Sequence, residues 1–230
     1  MRVLITGHSS GLGYALSKKF KEEFHEVIGI SRSPSDCADS EMICDLSKHD
    51  NLEESIVSFL KNVGTIDYVF LNAGILGEIC EVHNSDINSL NKIMNVNFIS
   101  NKIIIDSLIK SNMLPTVAVV AISSGAAVAP KYGWFEYCVS KAAQKILIEA
   151  YAVENDDVGF YCIAPGIVKT AMQEKIKKVD SVLYPSVKKF HDIYDKMQSP
   201  TSAAYKIYKF LPQLQNFESG EFIDMRKQDV

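Results

Sequence analysis

The chain has 230 residues, 47% hydrophobic and 23% charged, with a net charge of −4. That composition is ordinary for a globular protein and offers no basic surplus for nucleic acid or an anionic membrane. No apolar run approaches the ~20 residues of a membrane-spanning helix, and the opening "MRVLITGHSSGLG" turns polar too soon for a signal peptide.

In chain order, short β-rich runs alternate with helical patterns. Strands are expected at 3–6, 27–31, 42–44, 68–72, 117–123, 159–164 and 221–223, with helices near 12–24, 48–61, 86–112, 134–155 and 201–212. Several strands are continuous apolar runs such as "VAVVAI", the pattern of strands covered on both faces in a parallel sheet. The alternation predicts an α/β fold of Rossmann type: a doubly wound parallel sheet of about seven strands between two helical layers. No linker or repeat interrupts 1–230, so one domain is expected. Only about ten residues, 32–41, join the second and third strands, too few for the usual crossover helix.

The first strand runs directly into "TGHSSGLG". Gly7, Ser9, Ser10, Gly11, Leu12 and Gly13 therefore sit where a strand turns into a helix. Glycines there permit a tight turn and close backbone approach, and the helix N-terminus offers N–H groups to a pyrophosphate. About 20 residues on, an acid at the end of the second strand would bind the ribose hydroxyl of NAD. Here that strand ends in Ser31, Arg32 and Ser33. A guanidinium with two hydroxyls suits a 2′-phosphate, so NADP(H) is the preferred cofactor, with NAD(H) possible.

"YCVSK" places Tyr137 and Lys141 one helical turn apart. Downstream, Val139, Ala142, Ala143, Ile146, Leu147 and Ala150 form an apolar stripe, with the tyrosine and lysine on the opposite side. By periodicity alone that side is a solvated face. The five cysteines show no CxxC spacing and the five histidines no HxxxH spacing; free thiols in a reducing cytoplasm, and no metal site, are expected.

Taken in order, these motifs resemble the short-chain dehydrogenase/reductase family. "CDL" carries Asp45 and Leu46, which match the adenine-contacting pair. "NAG" carries Asn72, Ala73 and Gly74 at the end of the fourth strand, and "NVNF" carries Asn97. Ser124 stands thirteen residues before Tyr137. "APGIVKT" supplies Pro165, Gly166, Ile167 and Thr170 beside the nicotinamide.

The resemblance implies a catalytic set of Asn97, Ser124, Tyr137 and Lys141. Tyr137 would be the proton donor and Ser124 the partner of the carbonyl oxygen. Lys141 would bond the nicotinamide ribose, and Asn97 would hold a water that relays protons to Lys141. Lowering a phenol's pKa by about three units takes about 4 kcal/mol, which Lys141 and the oxidised cofactor would supply.

The function implied is hydride transfer between NADP(H) and a small-molecule carbonyl or alcohol, in a homodimer or homotetramer. A 3-oxoacyl thioester reductase is the narrower alternative, and a non-catalytic dinucleotide sensor the alternative of another class. Sugar epimerases and dehydratases share YxxxK but usually add a C-terminal substrate domain. Ile75, Leu76, Ala126, Trp134, Phe135, Met172 and Leu183 are expected around an apolar pocket. Residues 171–199 are expected to form a lid whose Lys175, Lys177, Lys178, Lys188 and Lys189 lie on a solvated helix face, the alternative being that they meet an acidic substrate or carrier. His8 is expected to reach the phosphates or solvent.

Overall fold

The computed structural model describes residues 1–229. Seven parallel strands stand in the order β3-β2-β1-β4-β5-β6-β7. They are β1 (Arg2–Thr6), β2 (Glu26–Ser31), β3 (Ser40–Ile43), β4 (Tyr68–Leu71), β5 (Ala118–Ile122), β6 (Gly159–Ala164) and β7 (Phe222–Asp224). The order reverses between β1 and β4, which opens a crevice beyond the carboxyl ends of the strands.

The helices are α1 (Gly11–Glu22), α2 (Leu52–Leu60), α3 (Ile87–Met94), α4 (Ser100–Lys110), α5 (Phe135–Glu154), α6 (Ala171–Lys177), α7 (Lys188–Asp192) and α8 (Pro200–Phe210). Alternate strand residues feed opposite layers. Val3, Ile5, Phe70 and Val120 pack with Leu16 and Phe20 of α1 and Ile207 and Phe210 of α8. Leu4, Val69 and Val119 pack with Ile56, Ile104, Leu108 and Ile148 of α2, α4 and α5. Two buried faces are why these strands read as unbroken apolar runs.

Local signals set several boundaries. Asp86 caps α3 by accepting from the Ser89 N–H at 2.9 Å. Ser199 caps α8, with Pro200 in its first turn. The expected helix 86–112 is continuous, but Asn95–Ile99 winds as a π turn between α3 and α4. No helix occupies the β2–β3 connection, as its length requires.

β3 lies two residues earlier than expected at its start, because its register is set by pairing Ser40 with Ile28 rather than by an apolar pattern. β7 likewise runs to Asp224. No helix among the described residues is long and apolar enough to cross a membrane.

Candidate active site

One large cavity, of about 1080 Å³, opens at the carboxyl ends of the strands. Of the expected residues, Gly7, Ser9, Ser10, Gly11, Leu12, Ser31, Arg32, Asp45, Leu46, Asn72, Ala73, Gly74, Ser124, Tyr137, Lys141, Pro165, Gly166, Ile167 and Thr170 line it. Gly13, Ser33 and Asn97 do not.

At one end the wall is mostly backbone. Gly7 and Gly11 take φ values of 68° and 56°, which side-chain-bearing residues rarely adopt. A Cβ on Gly13 would sit 2.2 Å from the Gly7 carbonyl oxygen, so this glycine lets α1 pack onto the loop. Ser10 provides no side-chain cap for α1. The first-turn N–H groups of Gly11, Leu12 and Gly13 have no backbone acceptor among the described residues. Uncapped N–H groups at the positive end of a helix dipole fit the phosphates of a dinucleotide.

Asn72 braces this loop. Its Nδ2 donates to the Thr6 carbonyl at 2.9 Å, and its N–H and that of Ala73 donate to Thr6 Oγ1. Asp45 accepts from the N–H and hydroxyl of Ser47. Those bonds, with the nearby Arg32 charge, hold its carboxyl below the usual range.

Two expectations change here. Ser31 Oγ donates to the Ser33 carbonyl at 2.6 Å and Ser33 lies outside the cavity, so Arg32 alone of the three offers free donors to a 2′-phosphate. His8 reaches neither phosphate site nor solvent. It is fully buried in the space left by Gly29 of β2, its Nε2 2.8 Å from Glu41. Glu41 also accepts from the Ser35 N–H at 3.1 Å, tying the glycine loop to the helix-less connection that carries Arg32.

At the other end α5 turns a polar face inward. Tyr137 and Lys141 are 8% and 4% exposed, while Val139 and Ile146 of the apolar stripe are 38% and 62% exposed. The solvated-face expectation is thus inverted: periodicity locates the apolar side of α5, and the sheet packs against the other. Lys141 Nζ donates to the Ile122 carbonyl at 2.7 Å and to Gln144 Oε1 at 3.1 Å. Sequence reasoning missed Gln144, although it stands one turn beyond Lys141 on the same face.

Burial pushes the Tyr137 phenol up to about 12, opposed by a hydrogen bond with Ser124. It lowers Lys141 to about 8. The expected depression of the phenol is therefore absent in this state: withdrawal from water dominates, and the Lys141 ammonium is turned toward Ile122 and Gln144.

Asn97 sits in the π turn behind the cavity, fully buried. Its Oδ1 accepts from the Ile75 N–H, and its Nδ2 donates to the Ile75 carbonyl and to Ser140 Oγ. Its carbonyl accepts from Asn101. Its side chain therefore fastens the loop after β4 to α5. Beside it, the buried Glu136 accepts from the hydroxyls of Ser85 and Ser89, a second fastening that sequence reasoning missed.

Ile75, Leu76, Trp134 and Met172 line the cavity as expected; Phe135 faces a separate hollow, Ala126 is buried beneath, and Leu183 is 62% exposed. From 171–199, α6 and α7 contribute Met172, Lys175, Ile176, Lys189 and Phe190 to the wall. Trp134 Nε1 donates to Ser186 Oγ at 2.9 Å, and its indole stacks on Phe190 at 5.1 Å. Lys177 lies over the Tyr194 ring instead.

Known proteins agree with this architecture. A family model described as short chain dehydrogenase matches residues 1–180. An uncharacterised oxidoreductase of Schizosaccharomyces pombe is 33% identical over 183 residues, covering 76% of this chain and 74% of that protein. Benzil reductase ((S)-benzoin forming) of Bacillus cereus is 29% identical over 246 residues, covering 96% and 97%. The crystal structure of the KRED1-Pglu enzyme superposes with a TM-score of 0.85 at 23% identity, covering 96% of this chain and 99% of that one. With the glycine loop, the ordered motifs and the family match in agreement, this chain belongs to the short chain dehydrogenase family and is an NAD(P)-dependent oxidoreductase interconverting carbonyl and alcohol.

Proposed function

We propose that the protein is an NADP(H)-preferring carbonyl reductase, working as a single catalytic domain with residues 171–199 as its lid. The observation that carries this reading is the gathering of Ser124, Tyr137 and Lys141 in the cavity that also contains the glycine loop. NADP(H), when bound, supplies the hydride. The chain's residues position the carbonyl and manage the proton. The Ser124 hydroxyl holds the carbonyl oxygen and stabilises the charge that develops on it. Tyr137, kept protonated by burial, passes its phenolic proton to that oxygen as the hydride reaches carbon, leaving a CH–OH group. Lys141, whose Nζ rests on the Ile122 carbonyl and Gln144, would hold the nicotinamide ribose and stabilise the phenolate left on Tyr137. Asn97 acts as a positioning residue, setting Ile75 and α5 relative to each other.

Arg32 supports the preference for NADP(H): it lines the cavity, and among the described residues it makes no ion pair. Trp134, Phe190 and Met172 suit an apolar, aromatic carbonyl compound, consistent with the diketone reduction named for the Bacillus cereus relative. Val139, Ile146 and Val153 recur every seventh residue on the outward side of α5, 38%, 62% and 85% exposed, which supports a homo-oligomer. Five free thiols among the described residues fit a cytoplasmic location.

The test follows reduced-nicotinamide absorbance with NADPH and with NADH against aldehydes, ketones, benzil and acyl thioesters. The expected result is faster oxidation with NADPH and a diketone or aryl ketone. Turnover confined to acyl thioesters would move the reading to a thioester reductase. Dinucleotide binding with no turnover of any compound would favour a sensor.

A further inference from the structure

The chain carries a net charge of −4, yet the wall of its cavity is cationic. Among the described residues the only carboxylates on that wall are Asp45 and Asp224. Asp45 belongs to the dinucleotide end, and Asp224 is engaged by Arg226, whose Nε donates to both of its oxygens at 2.8 and 3.2 Å. Alongside the exposed Lys175 of α6, the substrate end carries Lys131, from the loop after Ser124, and Lys189, from α7. Neither has an ion-pair partner among the described residues.

Lys131 is half-buried. Its Nζ lies 5.7 Å over the Trp134 ring, and that ring is 6.2 Å from the ring of Tyr137. The phenol that would meet the carbonyl and the ammonium therefore flank one indole. Burial lowers the Lys131 pKa, and the Arg226 and Lys189 charges add to this. Cations brought together in a partly dry wall repel one another unless an anion joins them. The uncapped amides that suit phosphates follow β1, whereas Lys131 follows β5, two strands away, so this cluster is left over once the dinucleotide is placed.

We propose that Lys131 and Lys189 form an anion subsite over Trp134, and that the substrate is an aryl or similarly apolar carbonyl compound bearing a carboxylate about one ring's length from the reacting C=O. The proposal rests on the carbonyl-reductase reading above. The carbonyl would lie at Ser124 and Tyr137, the apolar body on Trp134 and Phe190, and the carboxylate at the two ammonium groups.

Trp134 is the chain's only tryptophan and lines the cavity, so its fluorescence reports the site without turnover. The protein loaded with NADP⁺, which cannot reduce a ketone, is titrated with 4-acetylbenzoate and, separately, with its methyl ester. The expected result is a Kd for the carboxylate about tenfold below that for the ester, as loss of one charge-assisted contact implies. High salt weakens that preference. Lys131→Met abolishes it, and the kcat/KM ratio of carboxylate to ester falls by the same factor. If Lys131→Met does not fold, Lys189→Gln is expected to cut the preference about threefold, as for a more exposed pair.

Equal affinities in the wild type, or a preference that survives both substitutions, would overturn the proposal. If neither compound oxidises NADPH while Trp134 still selects the carboxylate, the anion subsite stands and the carbonyl-reductase reading falls.

Discussion

The two ends of the cavity are built from different material. The dinucleotide end is shaped by main chain: two glycines with positive φ, a third whose missing Cβ makes room for a carbonyl oxygen, and an uncapped helix. The substrate end is shaped by side chains, with Tyr137, Lys141 and Trp134 all buried and all drawn from α5 or the turn before it. An end made of backbone fails when its geometry is filled. An end made of side chains keeps its shape and loses its chemistry.

The sharpest contrast is between Gly13→Ala and Ser124→Ala. The added Cβ in Gly13→Ala meets main chain at 2.2 Å and cannot be relieved by a rotamer. A destabilisation of about 3 kcal/mol is expected from such overpacking, together with loss of NADPH binding; denaturant unfolding and cofactor titration read both. Normal stability in Gly13→Ala would show that the loop is softer than its geometry implies. Ser124→Ala removes a hydroxyl and adds nothing. Its kcat is expected to fall about 100-fold with NADPH affinity unchanged; a matched loss of affinity would erase the distinction between the ends.

Next in size is the pH dependence of stability. Lys141 is held near 8 when folded against an ordinary 10.5, so between those values the unfolded chain binds more protons. Stability from this group rises with pH across about 8 to 10.5 and is lost as pH falls through 8. Tyr137, raised to about 12, acts in the opposite sense only above 10. Between pH 8 and 10 the wild type is expected to gain about 2 kcal/mol relative to Lys141→Met. Parallel pH profiles for the two proteins would mean that Lys141 is not desolvated.

The smallest expected effect is Arg32→Ala: about tenfold weaker NADPH binding, with NADH binding little changed. Equal weakening of both would remove the 2′-phosphate from the reading.

How far this site was legible depended on which physical signal carried it. The strands were visible because both their faces are buried, as in Val119 and Val120 of β5, which feed opposite layers. The missing β2–β3 helix was visible from chain length alone. The inward face of α5 was not, because periodicity detects apolar residues and this helix spends polar ones on the interior.

β3 shifted because an edge strand of pattern Ser40–Ile43 has little apolar signal and takes its register from β2. The bounds of α6 and α7, within the expected lid 171–199, were not legible because their apolar residues, such as Ile176 and Phe190, pack around the cavity instead of the sheet. His8 was misplaced because its space is made by Gly29, twenty-one residues away. A glycine inside a buried strand is itself a mark of close approach, legible in the sequence.

The most direct measurement pairs cofactor titration with turnover in Tyr137→Phe. This change deletes one oxygen from a buried ring and leaves the aromatic packing against Trp134 in place. If the Tyr137 phenol is the proton donor, NADPH binds as in the wild type while carbonyl reduction falls by about 1000-fold. Turnover close to wild type in that variant would contradict the assignment, and with it the reading of the whole substrate end.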